Sequence, residues 1–164
     1  MQTASGSTEI IAELEEQFAV LHRNARELVA GLRLDNPAPV AVSLREHILR
    51  GAAVVEQTFG GITANLWDDP FEWTLPETLN THELLLEYLE EVEATRRRAF
   101  GGLRDDDELF REIVVPSGER QSLLSLFRET IARARALQNQ AFAIRGHLPE
   151  NDSASQGDRQ LSKS

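Results

Sequence analysis

The residues of this chain that could do chemistry are four histidines, a run of acids and a surplus of arginine. His22, His47, His82 and His147 stand apart. None has another histidine three or four residues away, the spacing that puts two side chains on one helix face. The zinc-protease pattern His-Glu-x-x-His is absent, and so is the paired Glu-x-x-His of di-iron bundles. His47 is the best single metal-ligand candidate, because it lies beside an inward apolar stripe. The other three read as surface or rim histidines. Asp105-Asp106-Asp107-Glu108 has the charge of a calcium loop but no alternating ligands and no central glycine. It reads as a solvated turn or an acid-rich helix start.

Other chemistries are excluded by composition. There is no cysteine, so thiol catalysis, disulfides and thiolate metal sites are impossible. The 17 basic residues include a single lysine, Lys163, set in a polar tail, which leaves no residue for a Schiff base or a phosphate loop. A net charge of −10 disfavours nucleic acid and anionic lipid as partners. No apolar run approaches the ~18–20 residues that span a bilayer. Met1–Glu9 lacks the basic and apolar regions of a secretory signal, which points to a cytoplasmic protein.

The elements that would position these residues are four amphipathic stretches. The 164 residues fit one domain, residues 1–148, followed by a disordered polar tail over 149–164. The first helix spans about Thr8–Leu32 with Ser7 as its cap; Ile11, Leu14, Phe18, Leu21, Ala25 and Leu28 recur at helical spacing. The second begins at Ser43, three residues before Glu46, and carries Leu44, Ile48, Ala52, Val55, Phe59, Ile62 and Leu66. Gly60 and Gly61 suggest a kink or a close neighbour. A link with Trp67, Phe71 and Trp73 follows, and its aromatics predict an ordered loop packed on the bundle.

The third helix runs from His82 to about Phe100, capped by Asn80, with Leu84, Leu85, Tyr88, Leu89 and Val92 inward. The fourth runs from about Gln121 to Arg145, capped by Ser117 or Ser122 and closed by Gly146. No strand is expected. Four such helices share a core most simply as an all-α four-helix bundle, with one non-adjacent crossing made by the long second link.

The order of these segments resembles the DinB-like (DinB/YfiT) superfamily of bacterial four-helix bundles over roughly residues 8–147. The likeness rests on the proline-containing first link, on Ser43-Leu44-Arg45-Glu46, on the Trp- and Pro-rich link, and on Leu137-Gln138-Asn139-Gln140-Ala141-Phe142-Ala143-Ile144-Arg145. The resemblance implies three metal-binding histidines, one seven residues after the serine of the second helix and two four apart on the last. Here those positions hold Arg50, Arg133 and Leu137. Arginine stays protonated and offers no lone pair, so the metal site is degenerate.

Three functions follow as expectations. The first is a non-catalytic bundle without cofactor, self-associating as the homodimer that the resemblance implies. The second is a hydrolase or thiol transferase using zinc, nickel or iron held by His47 with Glu46 or Glu56. The third is a small-anion binder at Arg50 and Arg133, turned inward where the resemblance places a metal, whose guanidinium forks suit carboxylate or phosphate. Against the third, both arginines could point outward and pair with Glu46, Glu56 or Glu129.

Overall fold

Each stripe becomes a helix because one apolar face must leave water and every backbone group must keep a hydrogen-bond partner. The computed structural model describes residues 6–69 and 78–148. The tail expected over 149–164, together with Phe71 and Trp73, lies outside the described residues. Four helices follow in order: α1 (Glu9–Ala30), α2 (Pro39–Ala64), α3 (His82–Gly101) and α4 (Leu123–His147). The all-α bundle expected from the sequence is observed. Between α3 and α4 lie a 3₁₀ turn (Asp106–Phe110) and a hairpin of β1 (Glu112–Val114) and β2 (Arg120–Ser122).

Helix ends differ from the sequence reading in instructive ways. Pro39 opens α2 at its first position, where its missing N–H is not needed, so Ser43 lies inside the helix rather than at its cap. Thr81, not Asn80, caps α3 by accepting from the Leu84 N–H at 3.1 Å. Ser122 caps α4 through Ser125 N–H at 3.1 Å, and Gly146 lies within that helix.

The cap of α1 comes from the far side of the sequence. Ser7 accepts only a long contact from Glu9 N–H, at 3.3 Å. Asp106 instead receives Ile10 N–H at 3.1 Å and Ile11 N–H at 3.0 Å, one on each carboxylate oxygen. Its own N–H donates to the Ser7 carbonyl at 2.8 Å. The acidic run is therefore neither a calcium loop nor a solvated turn at Asp106, which is buried. It is an acid-rich 3₁₀ start that stitches the chain between α3 and α4 onto the beginning of α1.

The end of α2 explains its glycines. Asn65 adopts a left-handed conformation (φ 56°), and the Leu66 N–H returns to the Gly60 carbonyl at 3.0 Å. This turn lays the Trp67 ring across Gly61, where any Cβ would overlap the indole. Close approach, not a kink, is the reason for Gly61. Leu66 is left outside at 62% exposure and Leu84 at 38%, although both had been placed on inward stripes.

Each helix has two close neighbours: α1 packs on α3 and α4, and α2 on α3 and α4. Contacts pair Glu15 with Arg96 and Arg26 with Glu90, so α1 and α3 are antiparallel. Gln138 meets Leu21 and Arg145 meets Glu27, so α1 and α4 are parallel. Thr58 meets Thr130, and Gly51 faces Ala134, so α2 and α4 are antiparallel. Helices α2 and α3 therefore run the same way, which requires the long crossover expected between them. Phe18, Phe59, Phe100 and Phe127, one from each helix, cluster with ring centroids 5.1–6.2 Å apart.

The hairpin was missed in the sequence. Its signal is the β-branched run Ile113-Val114-Val115 followed by Pro116-Ser117-Gly118. Glu112 pairs with Ser122 and Val114 with Arg120, and Gly118 supplies the positive φ (87°) that the turn needs.

The Asp106 cap yields a prediction. Burial opposes its charge, but hydrogen bonds from Ile11 and Ile10 N–H, with Ser7 and Glu9, outweigh it and hold the carboxyl below its ordinary value of 3.8. Its stabilisation is whole above that value and is lost as pH falls through the lower, folded-state pKa. Asp106→Ala should lower Tm at neutral pH by roughly 3–6 °C and flatten the acid limb of a stability profile. An unchanged Tm would remove Asp106 from this role.

Candidate functional site

The bundle has two unlike seams, and each holds charged groups over a cavity. The seam between α2 and α4 is the closer-packed. Gly51 allows the approach at Ala134, and the buried hydroxyls of Thr58 and Thr130 bond across it at 2.6 Å. On the outer side of this seam, Arg50, Val54 and Gln57 of α2 face Arg133 and Leu137 of α4. Together with Asp69 they line a groove of about 120 Å³. The helical period makes this possible: 50, 54 and 57 share one face of α2, and 133 and 137 share one face of α4.

Arg50, Arg133 and Leu137, grouped by the sequence analysis, are thus brought together. Both arginines are exposed at the surface, so the inward pair expected of an anion site is not observed and the groove they line is an outer one. Two of the glutamates considered as their partners bond elsewhere: Glu56 accepts the Tyr88 hydroxyl at 2.6 Å, and Glu129 accepts from Gln121 at 2.9 Å. Asp69 brings a carboxylate to the rim, and Gln57 fastens the chain there by donating to the Trp67 carbonyl at 2.5 Å.

These residues do not fit a divalent metal. Guanidinium groups repel one, and leucine offers no donor atom. His47 is not part of the groove lining. Its Nδ1 lies 2.7 Å from the Ser43 carbonyl of its own helix turn, which assigns the proton to that nitrogen. Among the described residues, no group of three or more histidine, aspartate and glutamate side chains is arranged to hold an ion. His82 reaches the Leu32 carbonyl through Nε2 at 2.8 Å and ties α3 to the end of α1. His147 is exposed in the last turn of α4.

The seam between α1 and α3 carries a charge network that sequence reasoning missed. Arg96 is 2% exposed and Glu93 5% exposed, and the two are paired within α3. Arg96 also donates to Glu15 of α1 at 3.1 Å, and its guanidinium lies 6.0 Å from the Phe18 ring centroid and 5.6 Å from that of Phe100. Its Nε is buried without a partner. The signal was present: Leu85, Leu89, Val92, Arg96 and Phe100 follow one another at helical spacing, so the stripe itself carries Arg96 inward. A charged residue on such a stripe is hidden because the periodicity is traced by apolar residues.

Farther along this seam, His22 is half-buried between two carboxylates, Nε2 lying 3.3 Å from Glu90 and Nδ1 3.9 Å from Glu93. Burial lowers the imidazole pKa from its ordinary value, against the opposing pull of Glu90. Arg26 meets Glu90 at 2.5 Å and Arg97 meets Glu93 at 3.4 Å. These groups surround an open cleft of about 380 Å³. Behind His22 and Glu93 lies a smaller void of about 30 Å³, walled by Leu21, Ala52, Val55 and Gln138 among others.

Searches of family models, curated proteins and solved structures find no match to this chain. The residues themselves therefore carry the functional argument.

The buried pair makes a stability prediction. Removing one member strands the other's charge in a dry environment, which typically costs about 3–5 kcal/mol. Arg96→Met should lower the urea-unfolding free energy by about 3 kcal/mol, and adding Glu93→Gln should recover much of the loss. Equal stability of Arg96→Met and the parent chain would contradict the assigned geometry.

Proposed function

We propose that this chain is a non-catalytic bundle of the DinB-like type that holds a small anion where that superfamily holds a metal. The binding groups are Arg50 and Arg133, in the groove between α2 and α4. The observation that carries this reading is the convergence of Arg50, Arg133 and Leu137 on one cavity from two helices distant in sequence. The resemblance singles out those three positions, and the groove supports the reading by bringing them to one place.

The chemistry of the groove sets the ligand class. Two guanidinium groups oppose one carboxylate, Asp69, so the local balance favours an anion despite the acidic chain. Each guanidinium presents five N–H donors in a planar fork, so a partner on one edge leaves another edge for ligand. A cavity of about 120 Å³ has room for several waters or for one small anion such as phosphate or a short carboxylate. Leu137 and Val54 form an apolar wall that would strengthen those charge-assisted bonds.

The reading is tested by thermal unfolding in phosphate, acetate and malonate at matched ionic strength. A ligand present at about ten times its Kd should raise Tm by about 3 °C. Arg50→Ala and Arg133→Ala should each remove the shift, while Arg97→Ala on the opposite seam keeps it. No shift with any anion, or a shift that survives both groove variants, would overturn the proposal.

A further inference from the structure

The cleft between α1 and α3 has the opposite chemistry to the groove just described. Its deepest polar groups are acceptors. The Nε2 of His22 lies beside the Glu90 carboxylate at 3.3 Å, so the imidazole proton belongs there and Nδ1 keeps its lone pair. That lone pair faces Glu93 Oε2 across 3.9 Å, which is beyond hydrogen-bond distance. The other oxygen of Glu93 is engaged by Arg96 and Arg97. Two half-buried or buried acceptors thus face one another, and among the described residues no hydrogen-bond donor is placed between them. An ammonium nitrogen placed about 2.8 Å from each would satisfy both.

The rim is basic. Arg23, Arg26 and Arg97 line the mouth of the same cleft and are 53–69% exposed. Guanidinium forks at a cleft mouth suit a carboxylate. Acceptors within and guanidiniums outside match a ligand carrying both charges on neighbouring atoms. A cleft of about 380 Å³ is within the range of small-molecule sites. We infer that this cleft binds a free amino acid, its ammonium between His22 Nδ1 and Glu93 and its carboxylate against Arg26 and Arg97.

The buried Arg96–Glu93 pair then has a purpose. A buried ion pair is replaceable by apolar residues without loss of stability, so stability alone does not require it. Here Arg96 fixes one oxygen of Glu93 and leaves the other aimed at His22. Protonation of His22 would put a competing proton on Nδ1. The charged groups facing it are Glu90, Glu93 and Arg97 from α3 and Arg23 and Arg26 from its own helix, whereas α2 and α4 present only Gly51, Ala52, Val55 and Gln138 there.

The test is titration calorimetry of the full chain with L-alanine, propionate and ethylamine, the last two each lacking one charged group of the first. Alanine should bind, and each control should bind about tenfold or more weakly, the loss expected for one charge-assisted contact. His22→Leu and Arg26→Ala should each weaken alanine binding by about the same factor, with thermal unfolding confirming that both variants fold. Affinity should also fall as pH drops through the His22 titration. The titrations are made on the full chain carrying Arg133→Ala, because the anion groove would itself take a carboxylate such as propionate. Absence of binding at millimolar alanine, equal binding of propionate, or indifference to His22→Leu would each overturn the inference.

Discussion

Four phenylalanine rings, one from each helix, set the geometry on which everything else depends. Phe18, Phe59, Phe100 and Phe127 lie within 6.2 Å of one another, centroid to centroid, and meet in edge-on, tilted and stacked contacts. Aromatic pairs of this kind contribute beyond the area they bury. They also fix the level at which each helix passes its neighbours. Once that level is fixed, Arg96 has one place to go, over Phe18 and Phe100, where its charge meets Glu15 and Glu93.

The consequence is a bundle with two different seams. Small residues and paired threonines let α2 and α4 approach closely, so the charged side chains of Arg50 and Arg133 are left to the outer groove. Between α1 and α3 the buried guanidinium bridges the seam to Glu15, and an open cleft lies farther along it. Asp106 caps the start of α1 from the 3₁₀ turn, so the order of α1 depends on a residue that arrives only after α3.

Much of this was legible in the sequence, and the limits have physical causes. Apolar spacing located all four helices, because a helix face is written every three or four residues. Their starts were less legible: Pro39 opens α2 before Ser43, and Thr81 takes the cap expected of Asn80, since neighbouring residues compete for one geometric role. The Asp106 cap was hidden because its partners are distant in the chain. Arg50, Arg133 and Leu137 were grouped through a resemblance, and the packing of α2 on α4 brings them to one groove. The α1–α3 cluster was missed because a helix face is traced by its apolar residues, and because His22 reads as a surface or rim residue in the sequence.

The central claim is that the groove formed by α2 and α4 takes an anion in place of a metal. Elemental mass spectrometry of the chain, purified without a histidine tag, tests it most directly. The account predicts that zinc, nickel and iron all fall far below one ion per chain. A stoichiometric zinc, nickel or iron ion would contradict it and return this bundle to metal-dependent chemistry.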